Sequence, residues 1–190
     1  MTKLTHAALA AAVFVGSAMI AGAQSTKGLF VGIQYAGSSL DVKSAAQKLD
    51  FGSGFGLHAG LGLSHNLSVL ANFDRSVLTG NTTGASVTVS QYDALLRLSV
   101  LDAGSPVRVF VTAGATARSA NAGRDFDEIA PTGGAGAQVF LSSKLALHGT
   151  ALWTFGKLTQ AGQISNSTPG QYESTQTRIQ AGVSLYPFGH

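Results

Sequence analysis

Large apolar side chains alternate with very small ones along this chain, and this alternation limits the fold more than any other feature. In residues 54–63, GFGLHAGLGL, Phe, Leu or Ala occupies every second position, and Gly or His fills the positions between. Successive side chains of a β-strand point to opposite faces. The stretch therefore predicts a strand with one continuous apolar face and one small, weakly polar face. Glycine on the second face, where a soluble strand would carry Lys, Glu or Thr, indicates a narrow and crowded interior.

The same period-two pattern predicts eight strands, joined alternately by long and short connections. The predicted strands cover residues 28–40, 54–63, 66–78, 85–101, 107–120, 131–141, 144–157 and 173–188. The long connections are 41–50, 79–84, 121–130 and 158–172, and the short ones are 64–65, 102–106 and 142–143. In an up-and-down arrangement, every long connection falls at one end and every short turn at the other.

Few charged residues are available to cover a water-exposed surface. Asp, Glu, Lys and Arg make up 11% of the 190 residues, against roughly 25% in ordinary soluble domains. Yet no internal segment approaches the roughly 20 consecutive apolar residues that a spanning helix needs. Strands with an apolar face toward lipid and a small, hydrophilic face enclosed account for both observations. We therefore predict an all-β fold, an eight-stranded antiparallel up-and-down transmembrane β-barrel.

A cleaved N-terminal signal peptide is predicted at residues 1–23. Lys3 and His6 precede a short alanine-rich apolar run, and the small residues of 21–23 end it. A membrane anchor is the alternative, but the run is short for one. The barrel is then expected to occupy residues 24–190. The chain has no cysteine, and its small basic excess does not indicate a nucleic-acid partner.

Six ionisable side chains fall on the small face and are predicted to lie inside the barrel. They are Asp74, Asp93, Arg97, Arg108, Arg118 and Arg178. An eight-stranded barrel is just wide enough to be filled by side chains, and buried charges must pair and hydrogen-bond. We expect Asp74 and Asp93 to sit among the arginines in one internal network. Its expected role is structural, and the alternative is a gate that re-pairs to open a narrow pore.

The remaining polar residues give little indication of metal binding or catalysis. His58 and His148 face inward by parity, without a nearby acidic motif, so we expect core histidines rather than ligands. Three acidic residues of the connection 121–130 lack the spacing and glycine of a calcium loop, so a solvated acidic loop is expected. These residues are Asp125, Asp127 and Glu128. We predict no metal, no cofactor and no enzymatic activity.

In layout the chain resembles the OmpA/OmpX-like superfamily of small eight-stranded outer-membrane barrels. The resemblance covers residues 27–188 and concerns the overall pattern rather than an exact motif. Such barrels often end in a strand that the barrel-assembly machinery recognises, and Gln180, Gly182 and Leu185 match its polar, glycine and apolar positions. Pro187 departs from this pattern, since it stands where an aromatic residue is usual.

The resemblance implies a monomer in the bacterial outer membrane, with long extracellular loops and both termini periplasmic. Membrane lipids, lipopolysaccharide and, during biogenesis, the barrel-assembly machinery are the implied partners. An aromatic girdle is expected toward the long-connection end, formed by Phe55, Phe73, Tyr92, Trp153 and Phe155. The expected function is a structural or surface-interaction role through the loops. Two alternatives are a narrow channel for small solutes and a secreted, soluble lipocalin-like barrel that binds an apolar ligand.

Overall fold

The structure is a computed structural model that describes residues 27–42, 48–80, 86–100, 106–121, 125–160 and 171–188. The predicted signal peptide, residues 1–23, lies outside the described residues. Within the described part, no helix has the length and apolarity needed to cross a membrane.

Eight antiparallel strands in the described residues close into a barrel in the order of the sequence. They are β1 (Gly28–Val42), β2 (Lys48–Gly62), β3 (Leu67–Thr79), β4 (Ser86–Ser99), β5 (Val107–Asn121), β6 (Asp125–Phe140), β7 (Leu145–Gln160) and β8 (Gln171–Leu185). The sheet closes where β1 pairs with β8. The predicted all-β, eight-stranded up-and-down barrel is confirmed. We call the end that carries residues 63–66 and 141–144 the turn end, and the opposite end the loop end.

The pairing register staggers the strands around the barrel. Following the paired residues from Leu29 on β1 around all eight strands leads back to β1 at Ser39. The return point is displaced from position 29 to position 39, which is a stagger of ten residues. A staggered closed sheet requires strands that tilt against the barrel axis. The stagger also decides which side chains meet across the lumen.

The burial of the side chains agrees with the two predicted faces of the strands, one outward and one toward the lumen. Leu57 and Val109 are 56% and 40% exposed on the outer surface, whereas Arg97 and Arg108 are 9% and 1% exposed in the lumen. An apolar exterior around a polar interior suits a barrel that faces lipid. A soluble lipocalin-like barrel would need the opposite arrangement, so that alternative is wrong.

Strand pairing extends into three of the predicted long connections, 41–50, 121–130 and 158–172. β1 and β2 extend into 41–50, and β7 and β8 extend into 158–172, so that only 43–47 and 161–170 separate these strands. Both of these segments lie outside the described residues. The difference in connection length between the two ends is therefore smaller than predicted.

The predicted acidic loop 121–130 is wrong. β6 begins at Asp125, pairs with β5 and passes through Pro131 without ending. Proline has no N–H to donate and is tolerated where a ladder bond is missing, and the described pairing of β6 with β7 is interrupted beside Pro131. The alternation therefore continues through the acidic residues, with Asp127 exposed and Glu128 buried.

Candidate functional site

Arg178 on β8 is the centre of the largest group of buried polar side chains in the lumen. Its guanidinium donates to Asp93 on β4 at 2.7 and 2.9 Å, and to Asp74 on β3 at 3.1 Å. Asp74 and Arg178 are both 0% exposed. Because β4 lies opposite β8 in a ring of eight strands, the Arg178 side chain spans the lumen.

Neutral donors complete the shell around the two carboxylates. Gln34 and Gln180 donate to Asp74 at 2.7 and 2.5 Å. Asn72 and Thr116 donate to Asp93 at 3.2 and 2.6 Å. Since two carboxylates share one guanidinium, these hydrogen bonds are needed to offset the remaining cost of burying negative charge.

A second ion pair lies closer to the loop end. Arg118 on β5 pairs with Glu128 on β6 and also donates to Gln176 at 2.9 Å and to Ser174 at 2.7 Å, both on β8. Ser174 in turn donates to Glu128 at 3.0 Å. The sequence pattern predicts Glu128 in a solvated loop, because the predicted strand begins only at Pro131. The signal that would have found it is parity, since Glu128 is separated by an even number of positions from inward-facing residues of β6.

Arg97 and Arg108 lie toward the turn end, apart from both aspartates. The Arg97 guanidinium lies 4.0 Å from the centre of the Phe110 ring and donates at 3.5 Å to Gln138. Arg108 donates to the His65 carbonyl at 2.8 Å. The structure therefore divides the six predicted residues among three groups rather than one network, and only Arg178 contacts Asp74 and Asp93.

His58 and His148 meet between the Arg178 group and the turn end. Their ring centroids are 4.7 Å apart, and His58 Nε2 and His148 Nδ1 lie 2.9 and 3.3 Å from the Ser184 hydroxyl. Nothing in the described ranges brings three or more His, Asp or Glu together as a metal site. Both histidines are buried, and the two rings can share a proton through the hydroxyl.

Apolar side chains also fill parts of the lumen. One cluster lies toward the turn end and comprises Phe30, Leu70, Leu95, Phe140, Ala146, Leu152 and Tyr186. The other lies toward the loop end and comprises Leu40, Leu78, Val87, Val89, Ala120 and Leu158. The Arg178 and Arg118 groups thus lie between two apolar clusters, in a low-dielectric interior where their pairing matters most.

The three residues of the predicted assembly signal all lie on β8. Gln180 is buried and bonded to Asp74, whereas Leu185 is exposed on the outer surface. Gly182 lies where a Cβ atom would come within 2.3 Å of the Ile33 carbonyl oxygen, so β1 approaches too closely for any larger residue.

Comparison with known proteins supports the same architecture. The sequence model of the outer membrane protein β-barrel domain family matches residues 8–186. Among solved structures, the barrel is similar to Neisserial surface protein A, NspA, with a TM-score of 0.64 and 13% identity over 84% of this chain and 97% of that one. It is also similar to OprG from Pseudomonas aeruginosa, with a TM-score of 0.57 and 13% identity over 85% of this chain and 96% of that one.

A third similar structure is the outer membrane protein AlkL in lipid bilayers, with a TM-score of 0.56 and 14% identity over 85% of this chain and 90% of that one. At these identities the similarity concerns the fold. Among curated proteins, no significant sequence match is found. The expected resemblance to small eight-stranded outer-membrane barrels is confirmed. Since the family model spans all eight strands of the closed barrel, the chain belongs to the outer membrane protein β-barrel domain family.

Proposed function

We propose that this outer-membrane barrel is a closed, non-conducting scaffold that serves a structural or surface-interaction role at its loop end. The observation that carries the proposal is the Arg178 side chain, which crosses the lumen from β8 to Asp93 on β4. A continuous water path would require this guanidinium to leave two carboxylates in a buried site. Breaking such a pair costs about 3–5 kcal/mol, so the closed state is strongly favoured.

Further layers support a closed lumen on both sides of Arg178. Toward the loop end, Arg118 joins β5 to Gln176 of β8, and an apolar cluster lies beyond it. Toward the turn end, Gln138 donates to the Tyr186 hydroxyl at 2.6 Å, and the Tyr186 ring packs against other aromatic rings. A solute path would have to displace side chains at every one of these levels. The narrow-channel alternative has no comparable support.

The proposed interaction surface is the loop end, where residues 43–47, 80–85, 122–124 and 161–170 join the strands. We place this end outside the cell and both termini in the periplasm, as in bacterial barrels with an even number of strands. Connecting segments on a rigid scaffold commonly carry binding. Segment 161–170, AGQISNSTPG, is the longest of the four.

In this proposal the protein is a monomer without catalytic groups or cofactor. The lipids of the membrane, including lipopolysaccharide, surround its apolar exterior. The barrel-assembly machinery recognises β8 during biogenesis through the pattern of Gln180, Gly182 and Leu185.

Two measurements test the proposal. Purified barrel added to planar lipid bilayers is expected to give no steady single-channel conductance, whereas a reproducible conductance step would establish the channel instead. An epitope inserted within 161–170 is expected to bind antibody on intact cells, and the same epitope at the C-terminus only after permeabilisation. The reverse labelling would overturn the assigned orientation.

A further inference from the structure

An apolar groove runs along the outer surface of β8, β1, β2 and β3. Two adjoining depressions form it, and both are lined by Ile33, Leu57 and Val183. Short side chains at Ala59 and Ala71 leave room between these larger neighbours. The groove therefore offers an extended apolar surface that crosses four neighbouring strands.

Arg75 on β3 lies at the loop end of this groove. It stands two residues beyond Phe73, which lines the groove, and its paired neighbours are Phe55 on β2 and Ser90 on β4. Its side chain is exposed, and no hydrogen bond or ion pair holds it within the described part of the chain. An isolated cation thus ends an apolar groove.

Lys157 on β7 makes a useful contrast, because it is also an outward-facing cation toward the loop end. Its paired neighbour across the ladder is Glu173, and Asp127 borders the same depression. Opposite charges therefore surround Lys157, whereas apolar and neutral residues surround Arg75. Of these two outward-facing cations, Arg75 is the one whose positive charge is not balanced by a neighbouring carboxylate.

The aromatic neighbours of Arg75 argue that it lies at the level of the lipid headgroups. The aromatic residues Phe55 and Phe73 beside it belong to the kind of belt that marks a membrane interface. On the turn-end side of this belt, the described outward-facing strand positions carry no charged side chain. An arginine at this boundary is suited to phosphate, which its planar guanidinium binds through two parallel hydrogen bonds.

We propose that the groove and Arg75 form a binding site for one phosphorylated glycolipid of the outer leaflet, the lipid A part of lipopolysaccharide. An acyl chain lies in the groove against Ile33, Leu57 and Val183, and a sugar-linked phosphate binds Arg75. This inference rests on the lipid contact and on the orientation in the proposed function, and it assigns that contact to one face of the barrel. It does not depend on the partner of the loops or on whether the lumen conducts.

Native mass spectrometry of the intact barrel in detergent, titrated with bisphosphorylated lipid A, tests the site. Wild-type protein is expected to retain one lipid A. Arg75→Gln should weaken retention about fivefold, as expected for the loss of one basic side chain facing anionic lipid. Lys157→Gln is the matched control and should bind like wild type. Ala71→Leu, which fills the groove and leaves Arg75 in place, should also weaken retention.

Heat-modifiable migration in gels verifies that each variant is folded. The proposal is overturned if Arg75→Gln retains lipid A as well as wild type, or if Lys157→Gln loses as much. It is likewise overturned if phosphatidylglycerol binds as tightly as lipid A, because the site would then bind any anionic lipid. Epitope exposure and bilayer conductance are unaffected by these variants, so a failure here is distinguishable from a failure of the proposed function.

Discussion

Two buried arginines of this barrel, Arg178 and Arg97, have different kinds of partner. Arg178 lies between two carboxylates, and a shell of amide and hydroxyl donors surrounds them. Arg97, toward the turn end, contacts an aromatic ring and one amide oxygen. The same residue type on the same face of the sheet therefore has two roles. The ion pairs of Arg178 tie opposite walls together, whereas Arg97 fills space and stacks.

This comparison predicts the largest loss of stability at Arg178. Arg178→Ala leaves Asp74 and Asp93 buried without a cation, and should lower the free energy of unfolding by about 3–5 kcal/mol. Urea unfolding in detergent micelles, followed by heat-modifiable migration, measures the loss. Lys157→Ala, on the outer surface, is the control and should change it by less than about 0.5 kcal/mol. A loss below about 1 kcal/mol for Arg178→Ala would mean that the ion pairs do not bind the walls together.

Substitutions at Arg118 and Glu128 should be energetically coupled, because the two side chains form a buried ion pair. Glu128→Leu alone leaves the Arg118 guanidinium without its carboxylate, and should cost about 3 kcal/mol. The double substitution Arg118→Leu with Glu128→Leu removes both charges and should cost less than the single one. A double-mutant cycle of unfolding free energies measures this coupling. Strictly additive losses would indicate that the two side chains do not depend on each other.

Arg97→Met should lower the free energy of unfolding by less than Arg178→Ala or Glu128→Leu does. It replaces a contact between a guanidinium and the Phe110 ring, for which about 1–2 kcal/mol is expected, and it leaves no carboxylate unpaired. The same unfolding measurement applies, with Arg178→Met as the matched comparison. Equal losses for the two methionine variants would remove the distinction between the two arginines.

Arg75→Gln should have the smallest effect on folding. Arg75 is exposed and bonded to nothing in the described residues, so its replacement should change the free energy of unfolding in detergent by less than about 0.5 kcal/mol. A larger loss without added lipid would indicate a structural role that the described contacts do not reveal.

Much of the fold was predictable because alternation is a local property. Leu57 and Arg97 were assigned to opposite faces from their neighbours in sequence alone, and their exposure agrees. The strand ends were less predictable. Pro131 and the acidic residues before it favour a loop by their composition, although parity continues through them. The pairing with β5 and the ion pair to Arg118 keep Glu128 inside a strand.

The groups in the lumen were predictable only in part. Parity assigned Asp74, Asp93 and Arg178 to the interior, but it contains no information on which of the arginines would reach the aspartates. His58 and His148 were treated as separate core residues, although they share the Ser184 hydroxyl. These contacts join residues far apart in sequence and follow from how the strands are staggered.

By itself, the sequence determined the strand type, the number of strands and the face on which each side chain lies, because each of these depends on residues a few positions apart. The tertiary structure decided which side chains meet across the lumen and where Arg75 stands relative to the apolar groove. The physical reason is that the sheet closes into a barrel. A ten-residue stagger around eight strands sets the position of every residue along the barrel axis relative to the residues across the lumen. No local sequence pattern encodes this stagger.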